Sequence, residues 1–386
     1  MTMRLLKLAV PRCLLSVAVL FVLALPLQAA ELKIGVILAE TGPASLLGGP
    51  GVRSLQLLSE EMNARGGIQG NPIKLVIRDS GGSPEKAISF AKQLIEEEQV
   101  FAIIGPSTSG ETLKIKDICE KAGTILISCA SAEVIINPVA RYVFKTAPND
   151  SLAARQIYQT MQQKGISKVA VLAGNDGFGN AGKAQLTKLA PEYGIEILAT
   201  EVYDKDAKDL SAVVAKIKAI EGLQAVVNWS IVPAQSILAK NIRQAGWDIP
   251  LYQSHGFANV KYVAVAGEAA EGIIFPASRL IVAESLPDGP QKEFLLKYKQ
   301  GYESRFKEDI STFGGHSYDA LMILDLAIAK AGIDKAKVRD AIENLTGYFG
   351  TAGEFNFSAQ DHSGLQQDAF TMITVKDGRF VPYQGQ

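Results

Sequence analysis

The feature that most constrains the fold of this chain is a regular alternation of short apolar strands with amphipathic helices. Residues 32–38 form an apolar strand, an amphipathic helix over 51–65 follows, and 73–78 is the next strand. Strands at 101–104 and 124–128 continue the series, again with helical spacing between them. Because near-continuous apolar strands joined by helices are typical of parallel sheets, we predict a parallel sheet covered on both faces.

A second series of the same kind begins after residue 150. Its predicted strands and helices alternate at 168–173, 181–193, 195–202, 210–220, 225–228, 234–245 and 250–253. The sequence after residue 276 consists mainly of three helical stretches, and it has too few strand segments to form a third sheet. We therefore predict an α/β fold of two doubly wound parallel-sheet lobes. The first lobe comprises 31–147 and 276–350, and the second comprises 148–275 and 351–386.

Residues 1–30 have the pattern of a cleavable signal peptide. Arg4, Lys7 and Arg12 precede an apolar run at 14–25, and small residues lead to a cleavage site after Ala29 or Ala30. The apolar run is short for a membrane anchor. We expect the mature chain to be soluble and exported.

Charge and cysteine content exclude several classes of protein. The formal net charge of −1, with three of the bases in the leader, does not predict a nucleic-acid or anionic-membrane partner. Only Cys119 and Cys129 remain after processing, so there is no disulfide framework, and whether these two are bonded stays open.

Two polar turns follow successive strands of the first predicted sheet. The turn at 105–110 carries the hydroxyls of Ser107, Thr108 and Ser109 and leads directly into a helix, whose first N–H groups have no partner within the helix. The second turn, at 128–132, is also rich in hydrogen-bond donors. Either turn alone also fits an ordinary βα turn. Since ligands of open α/β sheets bind beyond the carboxyl ends of the strands, the pair predicts a carboxylate-binding cleft.

Several motifs give the whole mature chain a family resemblance. In order, they are 41–43 (TGP), 63–70 (NARGGIQG), 103–110 (IIGPSTSG), 127–128 (IS), 143–146 (VFKT) and 269–272 (AAEG). With these motifs, residues 31–386 resemble the substrate-binding proteins of ATP-driven (ABC) importers of the Leu/Ile/Val-binding type. The resemblance implies a type I periplasmic binding fold with three crossovers between hinged lobes, a monomer in the periplasm, and delivery of a small carboxylate ligand to an inner-membrane permease.

The resemblance also implies a set of ligand-binding residues. Ser109 matches the serine that binds the ligand carboxylate, and Ser131 and Ala132 match further donors, the latter through its backbone N–H only. Phe178 matches a tyrosine that packs on the ligand, and Leu47 matches a position that is often aromatic. Trp229 could line the cleft or pack in the core. The predicted set is Leu47, Ser109, Ala130, Ser131, Ala132, Phe178, Trp229 and His255.

His255 departs most from the family pattern, because it aligns with the acid that pairs with the α-ammonium of an amino-acid ligand. An enclosed ammonium needs an anionic or carbonyl partner, and a histidine offers no negative charge. The pattern therefore favours an aromatic or other acid without an amine. If the alignment is displaced by a residue or two, Asp176 or another acid takes that place and an amino-acid ligand remains the alternative.

The sequence gives weaker support to functions other than solute binding. The pattern G-x-G-x-x-G at 177–182, with Glu201 beyond it, resembles a dinucleotide motif, but residues 174–176 separate it from the strand. The three histidines lack metal-ligand spacing, and Asp361-His362 fits a solvated turn. An exported hydrolase using Ser109 or His255 lacks a nucleophile–base motif, and a sensory receptor lacks an anchor. We predict a binding protein that is not an enzyme and has no cofactor.

Overall fold

The computed structural model describes residues 30–385, so the predicted signal peptide lies outside the described residues apart from Ala30. The first sheet has five parallel strands in the order β2-β1-β3-β4-β5. These strands are β1 Leu32–Leu38, β2 Ile73–Asp79, β3 Ala102–Ile104, β4 Ile125–Ser128 and β5 Val143–Lys145.

The second sheet has seven strands in the order β14-β13-β10-β9-β8-β6-β7. Strands β6 to β10 are parallel, while β13 and β14 add an antiparallel edge. The five parallel strands are β6 Lys168–Gly174, β7 Glu196–Tyr203, β8 Ala225–Trp229, β9 Leu251–Gln253 and β10 Ile274–Ala277. The remaining strands are the small hairpin of β11 Tyr348–Phe349 and β12 Glu354–Phe355, then β13 Thr371–Lys376 and β14 Arg379–Pro382.

Helices cover both sheets, and α1 packs along α10. In chain order the helices are α1 Ser45–Ala64, α2 Pro84–Glu96, α3 Ser109–Ala122, α4 Asp150–Gln163, α5 Gly177–Leu189, α6 Ser211–Lys218, α7 Ala234–Gln244, α8 Val260–Ala266, α9 Pro290–Phe306, α10 Thr312–Ala331 and α11 Lys335–Glu343. Within residues 30–385, no helix has the length and apolar character needed to cross a bilayer.

The predicted α/β fold of two doubly wound lobes is confirmed. The chain passes from the first sheet to the second after β5, returns after β10 to place α9–α11 on the first lobe, and passes back before β13. These passages are the three crossovers. Each lobe has its own apolar core, and the cleft between the lobes lies beyond the carboxyl ends of β3 and β4.

The predicted return to the second lobe at residue 351 is wrong. Phe355 and Phe357 are buried in the core beside the first sheet, and the chain joins the core of the second lobe only at Phe370. The predicted solvated turn at Asp361-His362 is also wrong for the histidine. The His362 ring is fully buried, stacks on Phe144 at 4.2 Å between ring centroids, and its Nδ1 lies 2.8 Å from the carbonyl oxygen of Val143.

Candidate ligand-binding cleft

A narrow cleft lies between the two lobes. The first lobe and the helices packed on it contribute Leu47, Ser107, Ser109, Cys129, Ala130, Ser131, Ala147, Phe313 and His316. The second lobe contributes Phe178, Ile231, His255 and Gly256. Serine hydroxyls, two imidazoles and apolar groups therefore form the walls. Among residues 30–385, no Asp, Glu, Lys or Arg side chain lines this cleft.

The turn between β3 and α3 is fixed by a capping box. The Thr108 hydroxyl accepts the Glu111 N–H, and the Glu111 carboxylate accepts the Thr108 N–H at 3.2 Å. Ser109 is consequently the first residue of α3, and its buried hydroxyl faces the cleft. Its Oγ accepts the Ala132 N–H at 3.3 Å. The hydroxyl hydrogen of Ser109 is therefore available to donate to a ligand oxygen.

The second turn offers fewer donors than the sequence predicts. The N–H of Ala130 donates to Ser128 Oγ at 3.1 Å, and the N–H of Ala132 donates to Ser109 Oγ. The resemblance implies that the Ala132 N–H meets the ligand, but in the structure this group is used within the protein and Ala132 does not line the cleft. Ser131 is the residue of this turn whose hydroxyl and backbone lie at the cleft wall.

His255 reaches across the cleft from the second lobe. It begins the short turn after β9, where the Ser254 hydroxyl accepts the Gly256 N–H. Its Nε2 lies 2.8 Å from Ser131 Oγ of the first lobe, while its Nδ1 is buried without a partner. Burial, reinforced by the charges of His316 and Lys145, lowers the pKa of His255 to about 3. The ring is therefore neutral near neutral pH, with one nitrogen free for a ligand.

His316 also lines the cleft, and the sequence did not predict it. It lies in the first turns of α10, and its Nδ1 is buried without a partner. Burial, with the charge of Lys145 as a second cause, lowers its pKa to about 3. Only the long-range packing of α10 beside α1 brings it to the cleft. By contrast, Ile231 and Gly256 lie just after β8 and β9. The rule that ligands bind beyond the carboxyl ends of the strands, which predicted the two serine turns, could therefore have found them.

Six of the eight predicted site residues line the cleft, and Ala132 and Trp229 do not. Trp229 is fully buried behind the wall, with its ring centroid 5.7 Å from that of Phe178 and 5.5 Å from that of His255. The sequence left two roles open for Trp229, lining the cleft or packing in the core, and in the structure it packs in the core. The six that line the cleft are Leu47, Ser109, Ala130, Ser131, Phe178 and His255.

Asp176, the acid of the alternative alignment, does not line this cleft. Its Oδ1 caps α5 by accepting the N–H groups of Phe178 and Gly179, each at 2.9 Å. The residue lines a neighbouring cavity that is also formed by residues of both lobes.

The glycines of the 177–182 motif serve packing. A Cβ on Gly179 would lie 1.9 Å from the Gly174 carbonyl oxygen, and one on Gly182 would lie 2.1 Å from the Trp229 ring. Both distances are far below van der Waals contact, so these positions accept no side chain. The glycines thus have a structural explanation independent of any dinucleotide.

The cysteines and the possible metal ligands give little support to thiol or metal chemistry in the described residues. Cys119 and Cys129 are both buried free thiols, and burial raises the pKa of Cys129 to about 11. Within the part of the chain that the structure describes, no group of three or more His, Cys, Asp or Glu side chains is arranged to hold a metal ion.

The lobes touch each other around the cleft. Besides the contact between His255 and Ser131, Asn259 Nδ2 donates to the Leu46 carbonyl oxygen at 2.9 Å. The N-termini of α3 and α5 meet at Gly110 and Gly177, where a Cβ on Gly177 would lie 2.6 Å from Gly110 Cα. The structure is therefore a closed form, in which a ligand in the cleft would be surrounded by both lobes.

We predict that replacing His316 with glutamine makes the protein less sensitive to acid. In the wild type the folded-state pKa of about 3 lies below the ordinary value of about 6.5, so unfolding takes up a proton between these pH values. The wild type should lose about 1.4 kcal/mol of unfolding free energy per pH unit relative to His316→Gln as the pH falls through this window. Urea unfolding at a series of pH values measures the difference; parallel pH profiles would contradict it.

Comparison with known proteins identifies the architecture. A family model described as "Periplasmic binding protein" matches residues 31–379. The chain is 25% identical over 326 residues to a leucine-, isoleucine-, valine-, threonine- and alanine-binding protein of Pseudomonas aeruginosa, covering 83% of this chain and 84% of the relative. A second protein of that organism, named an amino acid binding protein, is 27% identical over 345 residues, covering 86% of this chain and 87% of the relative.

Solved structures give the same result. An extracellular ligand-binding receptor from Rhodopseudomonas palustris HaA2 superposes with a TM-score of 0.86 at 28% identity, covering 92% of this chain and 100% of the receptor. A branched-chain amino acid transporter substrate-binding protein from Streptococcus pneumoniae, solved with isoleucine, has a TM-score of 0.80 at 25% identity, covering 91% of this chain and 97% of that chain.

Proposed function

This chain belongs to the periplasmic binding protein family, and from that membership we propose that it is an extracytoplasmic solute receptor of an ABC importer. It binds a small carboxylate between its two lobes, closes by a hinge motion, and delivers the ligand to an inner-membrane permease. The protein is exported to the periplasm as a monomer and performs no chemistry on its ligand. The relatives named above are all binding proteins or receptors, which supports this role.

The observation that carries the ligand class is the chemistry of the cleft wall. Ser109 and Ser131 present hydroxyls suited to a carboxylate, and His255 and His316 are neutral rings with unpartnered Nδ1 atoms. Among residues 30–385 no acidic side chain lines the cleft, so a ligand ammonium would be enclosed without a counter-charge. We therefore propose an acid without an α-amino group, with Phe178 against its apolar body.

Amino-acid binding is the second candidate, because of what the relatives are named for. Two of them are named amino-acid-binding proteins, and one solved neighbour holds isoleucine. In this chain an α-ammonium could donate only to neutral acceptors such as the Nδ1 atoms of the two histidines. That arrangement provides hydrogen bonds and no opposite charge, which is why we place this candidate second.

Titration calorimetry with benzoate, 4-hydroxybenzoate, cinnamate and leucine tests the proposal. We expect at least one aromatic acid to bind and to be recovered unchanged, while leucine binds weakly. Recovery of a hydrolysed product from an ester analogue would support an enzyme instead. Failure of every acid, with tight binding of leucine, would favour the amino-acid receptor. Mass spectrometry of whatever co-purifies with the protein extends the panel to acids that were not chosen in advance.

We predict that Ser109→Ala weakens binding of the tightest acid of that panel by about 1.5–3 kcal/mol, the usual value for a hydrogen bond to a charged group. The variant also leaves the buried Ala132 N–H without its acceptor, so some loss of stability is expected. Thr112→Val is the matched control: it removes a buried hydroxyl one turn along α3, 2.8 Å from Ser128 Oγ and away from the cleft. Equal affinities for Ser109→Ala and Thr112→Val would contradict the assignment of Ser109.

A further inference from the structure

A buried lysine lies directly behind the cleft wall. Lys145, the last residue of β5, is fully buried, and its Nζ donates to the carbonyl oxygens of Ser131 at 3.1 Å and Ala147 at 2.7 Å. Both of those residues line the cleft. Among residues 30–385, no carboxylate oxygen lies within ion-pair distance of this amine. A buried ammonium held only by neutral carbonyls is poorly compensated.

The contact with Ser131 connects this amine to the predicted carboxylate anchor. In a trans peptide the C=O and N–H groups point in opposite directions, so the peptide whose oxygen faces Lys145 directs the Ala132 N–H the other way. That N–H donates to Ser109 Oγ at 3.3 Å. A positive charge at Lys145 polarises the peptide, strengthens this hydrogen bond, and makes the Ser109 hydroxyl a better donor to the cleft.

We propose that Lys145 supplies the positive charge that balances a carboxylate in the cleft, and that the acid binds together with one proton taken up by this buried amine. The inference rests on the proposed carboxylate-binding function and deepens it. On binding, the neutral amine takes a proton from solvent and becomes an ammonium. The acid stays ionised, and no other covalent bond changes. Lys145 does not touch the ligand and is therefore a positioning residue.

The charged groups that face Lys145 are consistent with this exchange. Burial lowers the pKa of Lys145, and the carboxylates of Asp150, Asp361 and Glu133 oppose that effect only in part. The Asp150 pKa is itself raised by burial, with Oδ1 occupied by the N–H groups of Glu133 and Ser151 and Oδ2 unpartnered. A ligand anion is an additional negative charge close to the amine, so binding raises the pKa of Lys145.

His255 and His316 are two further titratable groups, and the charge of Lys145 contributes to lowering the pKa of each. Their pKa values of about 3 lie well below the pH range of the test, so both rings remain neutral in the free protein. The test must still separate a proton taken up by one of these rings from a proton taken up by Lys145. Replacing the lysine by arginine does so, because arginine keeps the charge and does not titrate.

The experiment is calorimetry of wild-type protein with the tightest of benzoate, 4-hydroxybenzoate and cinnamate, in buffers of different ionisation enthalpy between about pH 6 and pH 9. We expect uptake approaching one proton per bound acid at the alkaline end, with affinity falling by up to about tenfold per pH unit there. Lys145→Arg should bind the acid without proton uptake and without this pH dependence. Lys145→Met should bind about 10- to 100-fold more weakly at neutral pH, also without uptake.

Lys92→Met is the control for net charge, because Lys92 is exposed on α2 and its removal should leave both affinity and proton uptake unchanged. Wild-type binding with no proton uptake at any pH would overturn the inference while leaving the carboxylate receptor intact. Uptake that persists in Lys145→Arg would also overturn it and would assign the proton to another group. If no acid binds at all, the proposed function itself fails.

Discussion

A methyl group added at Gly177 is expected to weaken ligand binding by about 10- to 100-fold, while the ligand-free protein stays as stable as the wild type. In the closed structure a Cβ at this position would lie 2.6 Å from both Cα and N of Gly110 on the opposite lobe. These are backbone atoms and cannot rotate away. Overpacking of this kind costs about 1–3 kcal/mol, and it affects only the closed form. Apparent affinity falls with the population of that form.

The reciprocal variant Gly110→Ala is the matched control. A Cβ on Gly110 would lie 3.6 Å from Gly177 N, which is ordinary van der Waals contact, so closure should be nearly unaffected. Calorimetry gives the affinities, and small-angle scattering gives the radius of gyration with and without the bound acid. The wild type and Gly110→Ala should become more compact on binding, and Gly177→Ala should do so less. Equal affinity and equal compaction in the two variants would show that the lobes do not close through this contact.

Most of the fold could be predicted because the pattern is local. Apolar strands such as 32–38 and helices such as 335–344 are readable within one window of sequence. Helix α4 was not predicted, although Ala153, Ile157 and Met161 recur at helical spacing and are all buried.

The C-terminal segment 351–386 could not be assigned to a lobe from local patterns. Phe355 and Phe357 alternate with polar residues as they would beside either sheet, and only tertiary packing decides that they join the first core. His362 is similar, since its burial depends on stacking against Phe144, far away in the sequence. Composition around it, rich in serine and glycine, indicates a turn and says nothing about what covers the turn.

The site was predictable where it follows strand ends and unpredictable where it depends on packing. Ser109 and Ser131 follow β3 and β4, so the rule for open α/β sheets finds them. The use of the Ala132 N–H by Ser109 Oγ depends on the mutual position of two turns, which no sequence pattern specifies. His316 reaches the cleft on a helix from a distant part of the chain, and so has no local signal at all.

The second large effect is expected from His255→Glu, which should weaken binding of the tightest aromatic acid by about 100-fold or more. The His255 ring nitrogen lies 2.8 Å from Ser131 Oγ, so a glutamate at this position would bring a second carboxylate close to the ligand carboxylate held by Ser109 and Ser131. Two like charges about 4–5 Å apart at an effective dielectric constant of about 20 repel by roughly 3–4 kcal/mol. Leucine should gain affinity in the same variant, because the new carboxylate can pair with its ammonium.

His255→Gln is the matched neutral control, since an amide retains hydrogen bonding to Ser131 without adding charge. We expect it to bind the aromatic acid within about tenfold of the wild type, because a hydrogen bond of ordinary strength is worth about 1 kcal/mol. Calorimetry with leucine and with the acid panel, on wild type and both variants, gives the comparison. If His255→Glu, and not His255→Gln, changes the preference from the acid to leucine, then the charge at this position determines the ligand class. Micromolar leucine binding by the wild type would instead mean that neutral acceptors, including the free Nδ1 atoms of His255 and His316, are sufficient for an ammonium, and the protein would be an amino-acid receptor.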